Sequence, residues 1–163
     1  MRKLDWIKVI LVVSLLGNCY LFLNQKRDNR KQEIRDELLN GYIYRDLAQL
    51  EATIHDQQDH NWKNETLVVQ KIDDTMDSII MRLGMERDND KQTVFWKLHD
   101  YMKKFVVGDG TLALDITLDD RQRADYISLG EKLRSKGWSF KSGIIDTNWD
   151  IFSSKLEELV RES

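Results

Sequence analysis

The chain contains no proline and only eight glycines among its 163 residues. Both residues punctuate a fold, because proline cannot continue a helix or a central strand and glycine populates turns. Their scarcity disfavours a many-stranded sandwich and leaves long helices as the expected building block. Cysteine is nearly missing as well. The single one, Cys19, lies inside an apolar run, which excludes a disulfide framework and a thiolate nucleophile in the rest of the chain. No serine sits in a G-x-S-x-G elbow, and Gly108-Asp109-Gly110 lacks the Lys-Ser/Thr of a phosphate loop.

Long hydrophobic runs are also rare, and the exception dominates the reading. Trp6 to Leu23 is apolar almost throughout, with Arg2, Lys3 and Lys8 at its front and Lys26, Arg27, Arg30 and Lys31 behind it. As a helix rising about 1.5 Å per residue it covers roughly 27 Å, close to a hydrocarbon core of about 30 Å. Lys8 lies near the end of the run, where its ammonium can snorkel to the headgroups. Trp6 and Tyr20 are amphipathic rings of the interfacial kind.

Two other assignments compete. A cleaved signal peptide needs a small-x-small site, but the apolar letters continue through Tyr20-Leu21-Phe22-Leu23. A lipoprotein signal would use Cys19, yet the preceding residue is Asn18 and the following ones stay apolar. We therefore expect residues 1–24 to be a short basic tail plus an uncleaved transmembrane signal anchor at about 6–23. Counting Lys and Arg near each end nominally favours a cytoplasmic domain. The short, densely basic tail resembles the signal anchors of bacterial extracytoplasmic proteins instead, and on that resemblance the large domain is expected outside the cell membrane.

Charge divides the remainder. Residues 25–35 carry five basic and two acidic side chains, whereas residues 36–163 carry 17 basic and 25 acidic ones. The first segment suits anionic headgroups. The second would be repelled by phosphate backbones, so nucleic acid is not an expected partner.

Apolar periodicity locates the helices. Leu39, Ile43, Leu47, Leu50 and Ile54 recur every three or four residues, as do Val69, Ile72, Met76, Ile79 and Leu83. The polar stretch His55–Asn64 between them predicts a turn, a hinge or a solvated helical stretch. Two stripes on either side of it predict an antiparallel hairpin, or one long rod if the stretch stays helical. Core packing and a coiled-coil seam with a second chain are both compatible with this spacing. Gly84 is expected to end the second helix, with Asn89 or Asp90 capping a third helix that carries Val94, Phe95, Leu98, Met102, Phe105 and Val106.

Leu112, Leu114, Ile116 and Leu118 alternate strictly, which predicts a short strand over 111–118, with 138–145 as its possible partner. Between these segments Thr117 and Asp120 have the spacing of a capping box for a helix through about Lys136, stopped by Gly137. Thr147 and Asp150 would open a last helix bearing Trp149, Phe152, Leu156, Leu159 and Val160. Residues 25–89 hold one tryptophan and no phenylalanine, while Trp96, Trp138, Trp149 and four phenylalanines follow. Large rings mark a compact core. The expected organisation is a helical stalk or hairpin over 25–88 and a compact helical module over 89–163, mostly α with at most a two-stranded β element.

Candidate chemistry is sparse. His55 with Asp59, and Asp56 with His60, each sit four apart on one helix face. They are suitable donors for a transition ion, but the two pairs point differently and no third ligand is identifiable. His99, Asp100 and Lys103 form a charged helix face. Asp88, Asp90 and Gln92 begin like a calcium loop but lack its glycine and terminal glutamate. Asn64-Glu65-Thr66 matches a glycosylation acceptor. No catalytic residue, cofactor, metal ligand or small-molecule substrate is assigned, and no enzymatic activity is expected. The expected partners are the lipid bilayer and another protein or a second copy, met through the two stripes as a scaffold or accessory subunit. The alternative is a membrane-tethered sensor with a ligand pocket between helices.

Overall fold

The computed structural model describes residues 2–108, 116–143 and 147–161, with side chains from Trp6 onward. Among the described residues the chain is helical, with five α-helices, one 3-10 turn and no strand. The helices are α1 (Arg2–Asp59), α2 (Thr66–Met85), α3 (Asn89–Lys103), α4 (Asp120–Ser135) and α5 (Trp149–Val160), with the 3-10 turn at Phe140–Ser142. Two compact units are present, Met1–Glu37 and Leu38–Ser163.

The first unit is helix alone. The side chains of its apolar run are exposed: Trp6, Leu15 and Phe22 are each at least three-fifths exposed. α1 is long and apolar enough to cross a membrane.

The second unit is built around one core. α1 supplies Ile43, Leu47, Leu50 and Ile54; α2 supplies Val68, Val69, Ile72, Ile79 and Leu83. Phe95, Leu98 and Met102 of α3, Tyr126, Leu129 and Leu133 of α4, and Phe152, Leu156 and Leu159 of α5 complete it, with Trp138 at the centre. α3 packs against both α2 and α5. The Trp138 ring meets Phe152 edge-on at 5.6 Å, and Phe95 lies 5.7 Å from Trp149. Rings of this size each bury a large area, and they share the core with the aliphatic residues of α1 and α2.

Local chemistry sets the helix ends. α1 runs through Gly41 and the first half of the polar stretch, ending at Asp59, after which Trp62 N–H reaches the Gln57 carbonyl at 2.7 Å and the Gln57 side chain accepts from Asn64 N–H at 2.8 Å. Asn61 (φ 53) and Trp62 (φ 56) take the left-handed conformation there. That costs a bulky residue roughly 1–2 kcal/mol, offset by packing the Trp62 ring against the core. The end of α4 is a Schellman motif. Gly137 (φ 83) donates to Arg134 and Trp138 donates to Leu133 at 2.8 Å, which turns Trp138 directly into the core.

Several expected details differ. α3 is capped by Asp88, which accepts from Asp90 N–H and Lys91 N–H, and not by Asn89 or Asp90. α4 opens with a capping box formed by Asp119 and Gln122, two residues along from Thr117 and Asp120. Asn148, not Thr147, caps α5 by accepting from Asp150 N–H. α2 passes Gly84 and ends at Met85, with Glu86 as its cap.

The two-stranded element is not seen. Residues 111–115 and 144–145 lie outside the described residues; 116–118 and 138–143 form no ladder. Leu118 is buried, but its N–H donates to Glu65 Oε2 at 2.6 Å and so has no need of a partner strand. Phe140–Ser142 curls into the 3-10 turn, with Ser139 accepting from Lys141 N–H.

Candidate functional site

The ten residues expected to form an interaction face are brought together, but toward the chain's own interior. Leu39, Ile43, Leu47, Leu50, Ile54, Val69, Ile72, Ile79 and Leu83 are buried in the second unit, and Met76 is half-buried against the same core. Polar ties hold α1 and α2 in this arrangement. Lys71 Nζ donates to Gln49 at 3.1 Å, and Ser78 donates to the Asp46 carboxylate at 2.5 Å. Their periodicity therefore serves intramolecular packing.

Other apolar side chains of this unit face outward. On the last turns of α2, Ile80, Met81 and Met85 are 52%, 45% and 46% exposed. Helical spacing of one, four and five places them on one side. Trp96 on α3 and Phe140 are also about half exposed. Ile80, Met81 and Met85 lie one or two positions off the dominant stripe and so carried no signal in the spacing, whereas Trp96 and Phe140 were expected among the rings of the compact core and instead lie half exposed at its surface.

The polar clusters stay local. His55 and Asp59 lie 3.9 Å apart and His60 and Asp56 3.3 Å apart, each pair self-contained near the end of α1. Among the described residues no group of three or more His, Cys, Asp or Glu side chains converges on a metal position. His99 meets the Trp96 ring in an edge-to-face arrangement with centroids 5.2 Å apart, and Asp100 sits 3.3 Å from its Nδ1.

Two arrangements were not anticipated. Arg82 and Glu86 form a fully buried ion pair at 2.7 Å, with side chains 1% and 0% exposed. Glu86 Oε1 also accepts from Arg87 N–H and Asp88 N–H, each at 2.9 Å. The Arg82 guanidinium lies over Phe95 at 4.8 Å. Together they lock the α2–α3 connection. The second is a groove of about 410 Å³ beside the α1–α2 turn, lined by Trp62, Lys63, Thr66, Ile116 and Arg123 among others. At its base the buried Glu65 takes Arg123 Nε at 2.5 Å and Leu118 N–H, so its carboxylate is committed to holding the turn.

Titration is perturbed at few places. Burial lifts the Tyr101 hydroxyl to about 12 and raises Tyr44 as well. Burial and the nearby Asp73 carboxylate raise Tyr126, whose hydroxyl donates to the Phe105 carbonyl at 2.8 Å. Asp73 is itself raised, by desolvation first and then by Asp77 and Asp74. These are core and surface groups, and none of them lines the groove beside the α1–α2 turn.

No family model, no curated protein and no solved structure matches this chain.

Proposed function

We propose that the protein is a single-pass membrane protein, held by α1 at Trp6–Leu23, whose helical unit acts outside the cell membrane by binding another protein as a scaffold or accessory subunit. The observation that carries this reading is the wholly exposed apolar run of α1, which a bilayer would cover. The finer architecture belongs to the same proposal: a helical stalk leaving the membrane, followed by a compact helical module.

The stripes are used internally, so the contact to a partner falls to the outward residues Ile80, Met81 and Met85. Flexible methionines suit a face that adapts to another helix.

A cysteine at Asn64 in a Cys19→Ser background tests the sidedness. Labelling of intact cells by a membrane-impermeant thiol reagent supports an external domain; labelling only after lysis places it inside and refutes that part. A photo-crosslinking residue at Met81 tests the contact. A discrete adduct at Met81, missing with the crosslinker at Glu131 and abolished by Ile80→Asp, supports the proposal. Equal adducts at both positions, or none at Met81, would overturn it.

A further inference from the structure

Beyond the anchor lies a second membrane-directed feature, and it rests on the reading of Trp6–Leu23 as a span. Lys26, Arg27, Arg30 and Lys31 are all exposed on α1. At 3.6 residues per turn their positions fall within an arc of roughly 140°. Leu23 and Ile34 lie in the middle of that same arc, and both are exposed. The opposite side carries Gln25, Asp28, Asn29, Gln32 and Glu33; the further cation of this segment, Arg35, lies about 40° beyond the arc and sits 4.0 Å from Asp36.

The basic groups are not neutralised by their own helix. Among the described residues, the four make a single ion pair, Lys31 with Asp28 at 3.6 Å, and both of those side chains are largely exposed. Lys26 follows Leu23 by three residues, a rise of about 4.5 Å, so the stripe begins at headgroup depth. A charge stripe meant only to halt translocation has no need of one side, nor of an apolar residue set among the cations.

We propose that α1 leans toward the bilayer on this side, so that Lys26, Arg27, Arg30 and Lys31 form a one-sided contact for anionic lipid headgroups and Leu23 and Ile34 enter the interface; an upright helix would leave Ile34 about 16 Å beyond Leu23, in water. The partner is an anionic membrane surface. Cations hold the phosphates while the two aliphatic side chains lose contact with water. Each cation strengthens the attraction about fivefold near a charged leaflet, so the contact depends steeply on lipid charge and on salt.

The full chain, with Cys19→Ser and a fluorophore on Ile34→Cys, is reconstituted into phosphatidylcholine vesicles with and without phosphatidylglycerol. A second preparation carries the fluorophore on Gln32→Cys instead. Quenching by aqueous acrylamide is the readout. The proposal expects severalfold protection at position 34 in anionic vesicles alone, no protection at position 32, and loss of the effect when all four basic residues are changed to Gln. Equal quenching at the two positions in anionic vesicles overturns it. Protection of position 34 in cells but not in anionic vesicles also overturns it and assigns the stripe to an acidic protein. Failure of the chain to float with either kind of vesicle refutes the anchor itself, an outcome distinct from the others.

Discussion

The buried pair Arg82–Glu86 makes the sharpest stability prediction. Both side chains are essentially inaccessible and meet at 2.7 Å. Arg82→Met keeps most of the aliphatic volume but strands the Glu86 carboxylate, which among the described residues keeps the Arg87 and Asp88 N–H groups as donors. Removing one member of such a pair costs about 3–5 kcal/mol. Against a total stability of roughly 5–15 kcal/mol this is a large fraction.

Changing both partners should cost less than the two single changes together. In Arg82→Met/Glu86→Gln no charge is buried, and the glutamine oxygen still accepts the two backbone donors. The double variant should therefore recover at least about 1 kcal/mol relative to Arg82→Met alone. Urea unfolding of the detergent-solubilised chain, followed by tryptophan fluorescence, measures all three. A loss below about 1 kcal/mol for Arg82→Met, or strict additivity of the singles, would falsify the reasoning, because either result means the pair does not depend on its partner.

Close helix packing gives a second test. A Cβ on Gly130 would stand 2.9 Å from Ile54 Cγ2 and 3.4 Å from its Cβ. Gly130→Ala should destabilise, since overpacking costs about 1–3 kcal/mol against a gain of about 1 kcal/mol in helix propensity. In an Ile54→Ala background the clash is gone and the same substitution should stabilise; an unchanged sign in thermal melts would refute the contact. A third test is alkaline stability. Tyr101 is raised from 10.0 to about 12 by burial, so the unfolded chain releases its proton first. Stability is full below pH 10 and falls between pH 10 and about 12. Tyr101→Phe should flatten that fall in denaturant melts across the range; an unaltered slope would show that other groups set it.

That the residues of each stripe share one helix face followed from spacing, because a 3.6-residue repeat places residues three and four apart on one face; whether that face met a partner or the chain's own core did not. Ile43, Leu47 and Ile72 could thus be recognised as apolar-facing from the letters alone. Helix starts were legible only to the nearest residue or two. Asp88, Asn89 and Asp90 are all capable caps, and only backbone geometry selected Asp88. Of the strand expected over 111–118, the described residues 116–118 form no ladder, for a related reason. Alternation reports which side chains are buried, and Leu118 is buried, but its backbone donor was claimed by a carboxylate 53 residues away.

Composition by itself determined that the chain is helical, that it carries one span-length apolar run, and that disulfide or thiolate chemistry has no place in its folded unit. Those are properties of residue type and local spacing. Tertiary structure decided what the apolar faces touch. Val69 and Met81 are equally apolar as letters, yet one is sealed in the core and the other is exposed. It also decided which charges lost their water, since Arg82 and Glu86 are separated by the same four residues as many solvated pairs. Burial is a sum over the whole chain, and no local window contains it.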